Sequence, residues 1–130
     1  MKPPKNTLYL SSLANIRKLK NADKLLITRK QVEISGVYWY PDLAPSKELF
    51  AKYITDWKGK DPSLWWDEYS KRFIEEMLDG KGTILPALRK VYKCLQKKNI
   101  AFICFCNSRY CHRYILGEFL QMYGVNVNTV

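Results

Sequence analysis

The sequence predicts an α/β fold, a short and mostly parallel sheet flanked by helices, and three observations carry that expectation. Apolar runs at 7–11, 24–29 and 100–105 read as strands. The segments between them repeat their apolar residues at helical spacing, and strands alternating with helices are the pattern that builds parallel sheets. The chain has 130 residues, 47% of them hydrophobic and 14% aromatic, enough to close one core without disulfides or a metal. No repeat or long linker divides it, so 1–130 is expected to be a single domain.

Taken in order, Thr7 to Ser11 is the first strand, and Leu13, Ile16, Arg17 and Leu19 make a short helix with Lys18 and Lys20 outward. Lys24 to Arg29 is the second strand. From Ser35 to Pro45, Gly36, Pro41 and Pro45 break any period, while Tyr38, Trp39 and Tyr40 are too large to leave solvated. That segment reads as an ordered loop. Ser46 can cap a helix reaching about Trp57, with Leu49, Phe50 and Tyr53 on one face. Asp61 followed by Pro62 is a sharper start signal, an N-cap carboxylate with proline at the first helical position. This helix should run to Leu78 and stop at Asp79-Gly80. Thr83 is expected to cap a further helix with a core stripe of Leu85, Leu88, Tyr92 and Leu95. Asn99 to Phe105 then reads as a buried strand, and Ile115, Leu116, Phe119, Leu120 and Tyr123 recur helically until Gly124. Val125 to Val130 alternates and would add a last short strand. The three main strands should lie parallel and adjacent, with Leu85, Leu88, Leu95, Leu116 and Leu120 buried against them.

The 22 Lys and Arg against 12 Asp and Glu leave a net charge of +10 and a pI near 9.5, which favours anionic ligands or partners. The basic residues beyond the second strand, from Lys58 through Lys98, are scattered over several elements and form no stripe. Nucleic-acid binding, weak, non-specific and salt-sensitive, is therefore the alternative and not the main reading. No apolar stretch approaches the roughly 18 residues of a membrane span, and Met1 to Lys5 lacks the apolar core of a signal peptide. The expected location is the cytoplasm. Four cysteines placed this unevenly suit a site better than a disulfide framework.

The segment Ile103 to Arg113 holds three of those cysteines, the single histidine and two arginines. It lies on a strand-to-helix turn, outside the carboxyl ends of the strands, where open α/β sheets bind ligands. Parallel strands would bring Ser11 and Ser12, Arg29 and Lys30, and Cys104 to Asn107 to the same edge. The expected ligand is small, anionic and nucleotide-like, held by Ser11, Arg29, Lys30, Cys106, Asn107, Arg109 and Arg113. Trp39 and Tyr40 could supply a stacking wall. Arg113 sits in the first turn of a helix, where the dipole disfavours a cation, so an anionic partner is expected beside it.

Three chemistries compete for the cysteines. Cys104 or Cys111 could be a nucleophile with a lowered pKa, and His112 a proton carrier titrating near neutrality. Cys104 to Arg109 resembles the strand-end loop of rhodanese-type sulfurtransferases and does not match the Cys-x5-Arg loop of thiol phosphatases. Zinc is the second option, since Cys104, Cys106, Cys111 and His112 supply four ligands within nine residues. Adjacent Cys111 and His112 should point apart, however, and the spacing is not a usual finger. The sequence therefore assigns no metal and no cofactor. In the third option the cysteines only pack and the histidine only fixes the turn.

Tyr9-Leu10-Ser11-Ser12, Ile27-Thr28-Arg29-Lys30, the Gly36 to Tyr40 loop, Leu43-Ala44-Pro45-Ser46, and Cys104-Phe105-Cys106 followed by Cys111-His112-Arg113 resemble the family catalogued as domain of unknown function 488. The resemblance spans nearly the whole chain and implies a Rossmann-like α/β domain of bacterial or phage origin. The family label names no reaction, and its common pattern often has glutamate at the position of Cys106. In a phage, such a protein would be expected to sequester a host signalling nucleotide.

Overall fold

The computed structural model describes residues 2–130; Met1, the first residue of the Met1 to Lys5 segment and of the 1–130 domain, lies outside the described residues. Five strands form one sheet: β1 (Thr7–Ser12), β2 (Ala22–Leu26), β3 (Val37–Trp39), β4 (Asn99–Cys104) and β5 (Asn126–Thr129), in the order β3-β2-β4-β1-β5. Every pairing is parallel, with Leu10 opposite Phe102 and Leu25 opposite Phe102 on its other side. All carboxyl ends therefore open on one edge, as the Rossmann-like expectation requires.

Side chains alternate along a strand, so β4 sends Ile100, Phe102 and Cys104 to one face and Ala101 and Ile103 to the other. The first face is the main core, where Leu8, Leu10, Ile100 and Phe102 meet Leu49 of α1 (Lys47–Lys52), Phe73 of α2 (Trp66–Leu78), Leu88 of α3 (Ile84–Leu95) and Leu116 of α4 (His112–Gln121). The second face is smaller. Leu19, Leu26, Ala101 and Ile103 pack there with Leu13 and Ile16 of a 3-10 segment, Leu13–Lys18. None of the described helices is long and apolar enough to cross a membrane.

Several local expectations are corrected. The 35–45 segment is not all loop, because Val37–Trp39 pairs with β2 and satisfies that strand's outer edge before Pro41 stops it. Strand β2 ends at Leu26 rather than Arg29, although Ile27 still donates to the Ile103 carbonyl at 3.0 Å. Ser46 does cap α1 by accepting from the Leu49 N–H at 3.1 Å. The helix then widens into a π turn over Tyr53–Trp57, which presents Tyr53 edge-on to Trp65 with ring centroids 5.3 Å apart. Asp61 caps only a short 3-10 turn, Pro62–Leu64, after which Trp65 breaks the path before α2 begins. Thr83 does not cap α3 through its side chain; its hydroxyl donates to the Asp42 carbonyl. The buried stripe of α3 is Ile84, Ala87, Leu88, Val91 and Leu95, while Leu85 and Tyr92 sit at its half-buried flanks.

What positions the site is the seating of α4. A Cβ on Gly117 would come within 2.8 Å of the Leu10 Cδ1 atom, so the helix presses directly onto β1. Its first turn is thereby delivered to the carboxyl ends of β1, β4 and β2.

Candidate functional site

Cys104 is the last residue of β4 and points with Phe102 toward the helices, so its thiol is buried at the floor of the strand-end edge. The chain then makes a loop and returns at Cys111, whose extended backbone (φ −145°, ψ 143°) precedes the first helical residue, His112. Cys106 on the loop is half-buried, with its sulfur 3.9 Å from that of Cys104. All four cysteines are unpaired thiols, and Cys94 stands apart from the other three, exposed on α3.

His112 is buried and its Nε2 lies 2.7 Å from the Ile27 carbonyl oxygen. A carbonyl can only accept, so Nε2 carries the proton and the neutral ring leaves Nδ1 as a lone-pair acceptor. Nδ1 faces the Cys111 sulfur at 3.7 Å. Phe73 packs edge-on against the ring, with centroids 5.4 Å apart. Burial, the largest influence, pulls the histidine pKa down to about 4 despite the Ile27 bond. The expected titration near neutrality is thus corrected: this imidazole is held neutral by its apolar surroundings.

Arg113 is 2% exposed. Its guanidinium donates to the Cys106 carbonyl at 2.9 Å and the Ser108 carbonyl at 3.3 Å, and it reaches the sulfurs of Cys111 at 3.3 Å and Cys106 at 3.7 Å. Its Nε is buried without a partner. The groups that accept its hydrogen bonds lie inside the protein: two loop carbonyls and two thiol sulfurs. Cys106 is held well below the usual thiol range by hydrogen bonds from Cys104 and then Cys111, with Arg113 adding to them against burial. Cys104 is pushed up to about 11, mainly through its bond to Cys106, and Cys111 is pushed up by burial and then by its two thiol neighbours. The three thiols therefore titrate as one coupled group and not as separate sites. For Cys104 and Cys111 the direction is opposite to that of an activated nucleophile.

Above this floor opens a cleft of about 630 Å³. Tyr53, Trp65, Tyr69, Phe105 and Tyr110 wall it, Arg29, Lys30 and Lys58 stand around it, and Cys104, Cys106, Cys111 and His112 line it. Arg29 is partly committed, since its Nε donates to the Pro45 carbonyl and a terminal nitrogen to the Pro41 carbonyl. Lys30 and Lys58 are exposed.

Of the residues singled out from sequence, Cys104, Cys106, Cys111, His112, Arg29 and Lys30 do converge on this cleft. Arg113 lies beneath its floor. Ser11 falls on the opposite face of the sheet, where its hydroxyl donates to the Val130 carbonyl at 3.1 Å; its neighbour Ser12 reaches the loop instead, donating to Asn107 Oδ1 at 3.1 Å. Asn107 and Arg109 are exposed and are not among the cleft residues. Tyr40 and Trp39 are not the aromatic wall: Tyr40 packs against the core and the Trp39 ring N–H donates to the Thr28 carbonyl at 2.8 Å. The wall comes from Tyr53, Trp65, Tyr69, Phe105 and Tyr110; the sequence reading set Tyr53 on a helix face and Phe105 at a strand end and marked none of the five as a ligand wall. The Ile27 carbonyl carries no residue-type signal at all.

Among curated proteins and among solved structures, no significant match is found. A family model described as DUF488-N3a, the active DUF488-N3 subclade, matches residues 8–124. That span contains β1 from Leu8 onward, strands β2 to β4, helices α1 to α4 and every cleft residue, and the chain belongs to the DUF488-N3a family.

Proposed function

We propose that the protein binds a small anionic, nucleotide-like ligand in the cleft at the strand ends, acting in the cytoplasm where its thiols stay reduced. The observation that supports this most is the combination of walls and mouth. The rings of Tyr53, Trp65, Tyr69, Phe105 and Tyr110 bound a cavity of about 630 Å³ beside Arg29, Lys30 and Lys58, a volume within the range of small-molecule sites. A flat base could lie against Tyr53 or Tyr110, because stacking tolerates any ring with a π face. Its phosphate would meet Lys30 and Lys58, the cations whose side chains are exposed. The +10 net charge adds a long-range attraction for such ligands. Binding needs no nucleophile, which agrees with the two buried thiols that burial and neighbouring sulfurs keep protonated.

The test is a thermal-shift and calorimetric panel comparing nucleoside mono-, di- and triphosphates with the matching nucleosides. A ligand that binds the folded state raises its melting temperature with occupancy. Nucleotides should do so and nucleosides much less. Lys30→Ala and Lys58→Ala should each weaken binding by about 2–5-fold, the effect of one solvent-exposed charge, without changing the melting temperature of the ligand-free protein. If no phosphate-bearing compound shifts the transition, or both lysine variants bind as tightly as the parent, the reading is wrong.

A further inference from the structure

We propose that the sulfurs of Cys104, Cys106 and Cys111, together with Nδ1 of His112, bind one zinc ion at the floor of the cleft. This goes beyond the ligand-binding reading and does not depend on it.

Geometry carries the proposal. Tetrahedral zinc with Zn–S near 2.3 Å and Zn–N near 2.0–2.1 Å separates neighbouring sulfurs by about 3.8 Å, and sulfur from nitrogen by about 3.6 Å. The Cys104 and Cys106 sulfurs are 3.9 Å apart, and the Cys111 sulfur is 3.7 Å from His112 Nδ1. The ligand atoms of Cys104, Cys111 and His112 all lie within 4.8 Å of one another and all three residues are buried. Cys106, on the loop, lies outside that group of three and joins it as the fourth ligand through its 3.9 Å approach to the Cys104 sulfur. The sequence objection was that adjacent Cys111 and His112 should point apart. The backbone answers it: Cys111 is extended while His112 opens α4, and that change of direction turns both ligand atoms inward.

Two features around the ligands suit a metal. The first is the Ile27 carbonyl, which fixes the proton on Nε2 and leaves Nδ1 as the lone pair aimed at the thiols. An outer hydrogen bond of this kind orients and polarises histidine ligands in metal sites. The second is charge. Zn²⁺ with three thiolates carries −1, and the buried guanidinium of Arg113, 3.3 Å from the Cys111 sulfur and 3.7 Å from the Cys106 sulfur, supplies the balancing +1. Two thiolates would leave the metal set neutral and the buried arginine uncompensated, which is costly. The arrangement therefore favours three sulfurs over two. Such a closed set of four ligands is structural, and it would fix the 105–110 loop that shapes the cleft floor.

The test uses the full chain, stripped of metal with a chelator under reductant and then titrated with Co²⁺ and Zn²⁺. Co²⁺ should produce thiolate charge-transfer absorption and the intense visible bands of a tetrahedral site, saturating at one equivalent, and Zn²⁺ should abolish them at one equivalent. A disulfide-exchange reagent should find the exposed Cys94 and the half-buried Cys106 reactive in the metal-free protein, and Cys94 alone in the zinc form. Cys94→Ser should leave metal binding unchanged and remove that last reactive thiol. Cys106→Ser should lower the charge-transfer intensity by about a third, one thiolate of three. No charge-transfer band at one equivalent of Co²⁺, a Cys106 thiol that stays reactive with Zn²⁺ bound, or an undiminished band in Cys106→Ser would each overturn the four-ligand site. The unmodified chain alone supplies two of these outcomes, so a variant that fails to fold does not blunt the test.

Discussion

Replacing Arg113 by alanine should destabilise the metal-free protein by about 3 kcal/mol. Two hydrogen bonds from a charged donor to the Cys106 and Ser108 carbonyls are lost, each worth about 1.5–3 kcal/mol. The guanidinium also stacks over Tyr114, its carbon 4.9 Å from the ring centroid, for about 1 kcal/mol more. Two effects work the other way. Water can reach the freed loop carbonyls, and removing the side chain removes the penalty of its orphaned Nε, about 1–3 kcal/mol. The balance is near the lower end of the sum. With a urea m-value of about 2 kcal/mol/M for a chain of this size, the unfolding midpoint should fall by about 1.5 M. The measurement is urea denaturation followed by far-UV circular dichroism in the presence of a chelator, so that bound metal contributes nothing. Arg113→Met, which keeps the aliphatic stem, should recover only a minority of the loss. A midpoint within about 0.3 M of the parent for Arg113→Ala would refute the reasoning, because the loop would then be held without the guanidinium.

Ser46→Ala removes an acceptor for the Leu49 N–H and a partner of the Glu76 carboxylate, and should cost about 1–2 kcal/mol, seen as a melting temperature lower by about 3–8 °C. An unchanged melting temperature would mean that the α1 start is held by other contacts. Gly117→Ala sets two effects against each other: better helix propensity, about 1 kcal/mol, and a new Cβ 2.8 Å from the side chain of Leu10, itself 3% exposed. Overpacking a dense core costs about 1–3 kcal/mol, so the variant should be less stable by about 1 kcal/mol in chemical denaturation, and a gain in stability would show that Leu10 can move aside.

The sheet was readable because β4 carries a run of apolar residues buried on both faces and β1 carries Leu8, Tyr9 and Leu10 in succession, and the strand-to-helix turn was readable because its residue types are concentrated there. Strand β3 was not, since three residues between Gly36 and Pro41 give no period, and only the open edge of β2 makes them a strand. The α3 stripe was displaced by one residue because Ile84 and Leu85 are both apolar, and a 3.6-residue period accommodates either. The aromatic wall was misplaced for a related reason. Tyr53 and Tyr110 belong to a π turn and an irregular loop, where no sequence period says which way a ring points, whereas Trp39 and Tyr40 looked prominent and are used elsewhere.

Arg113 shows how a local argument can name the need for a partner without locating it. A cation in the first turn of α4 calls for an electron-rich partner, as the dipole argument holds, and the groups its guanidinium reaches in this structure are the loop carbonyls and the thiol sulfurs. The floor of the site satisfies itself: thiols with guanidinium, imidazole with the Ile27 carbonyl. The mouth does not, because Lys30 and Lys58 are exposed and face the cleft. Stability and affinity should therefore separate along the depth of the cleft. Substitutions at Arg113 should move the unfolding midpoint, and leave ligand affinity intact wherever the fold survives. Substitutions at Lys30 and Lys58 should do the reverse. A variant at the mouth that unfolds the protein, or a folded Arg113 variant that has lost only its ligand, would mean that floor and mouth form a single anion site after all.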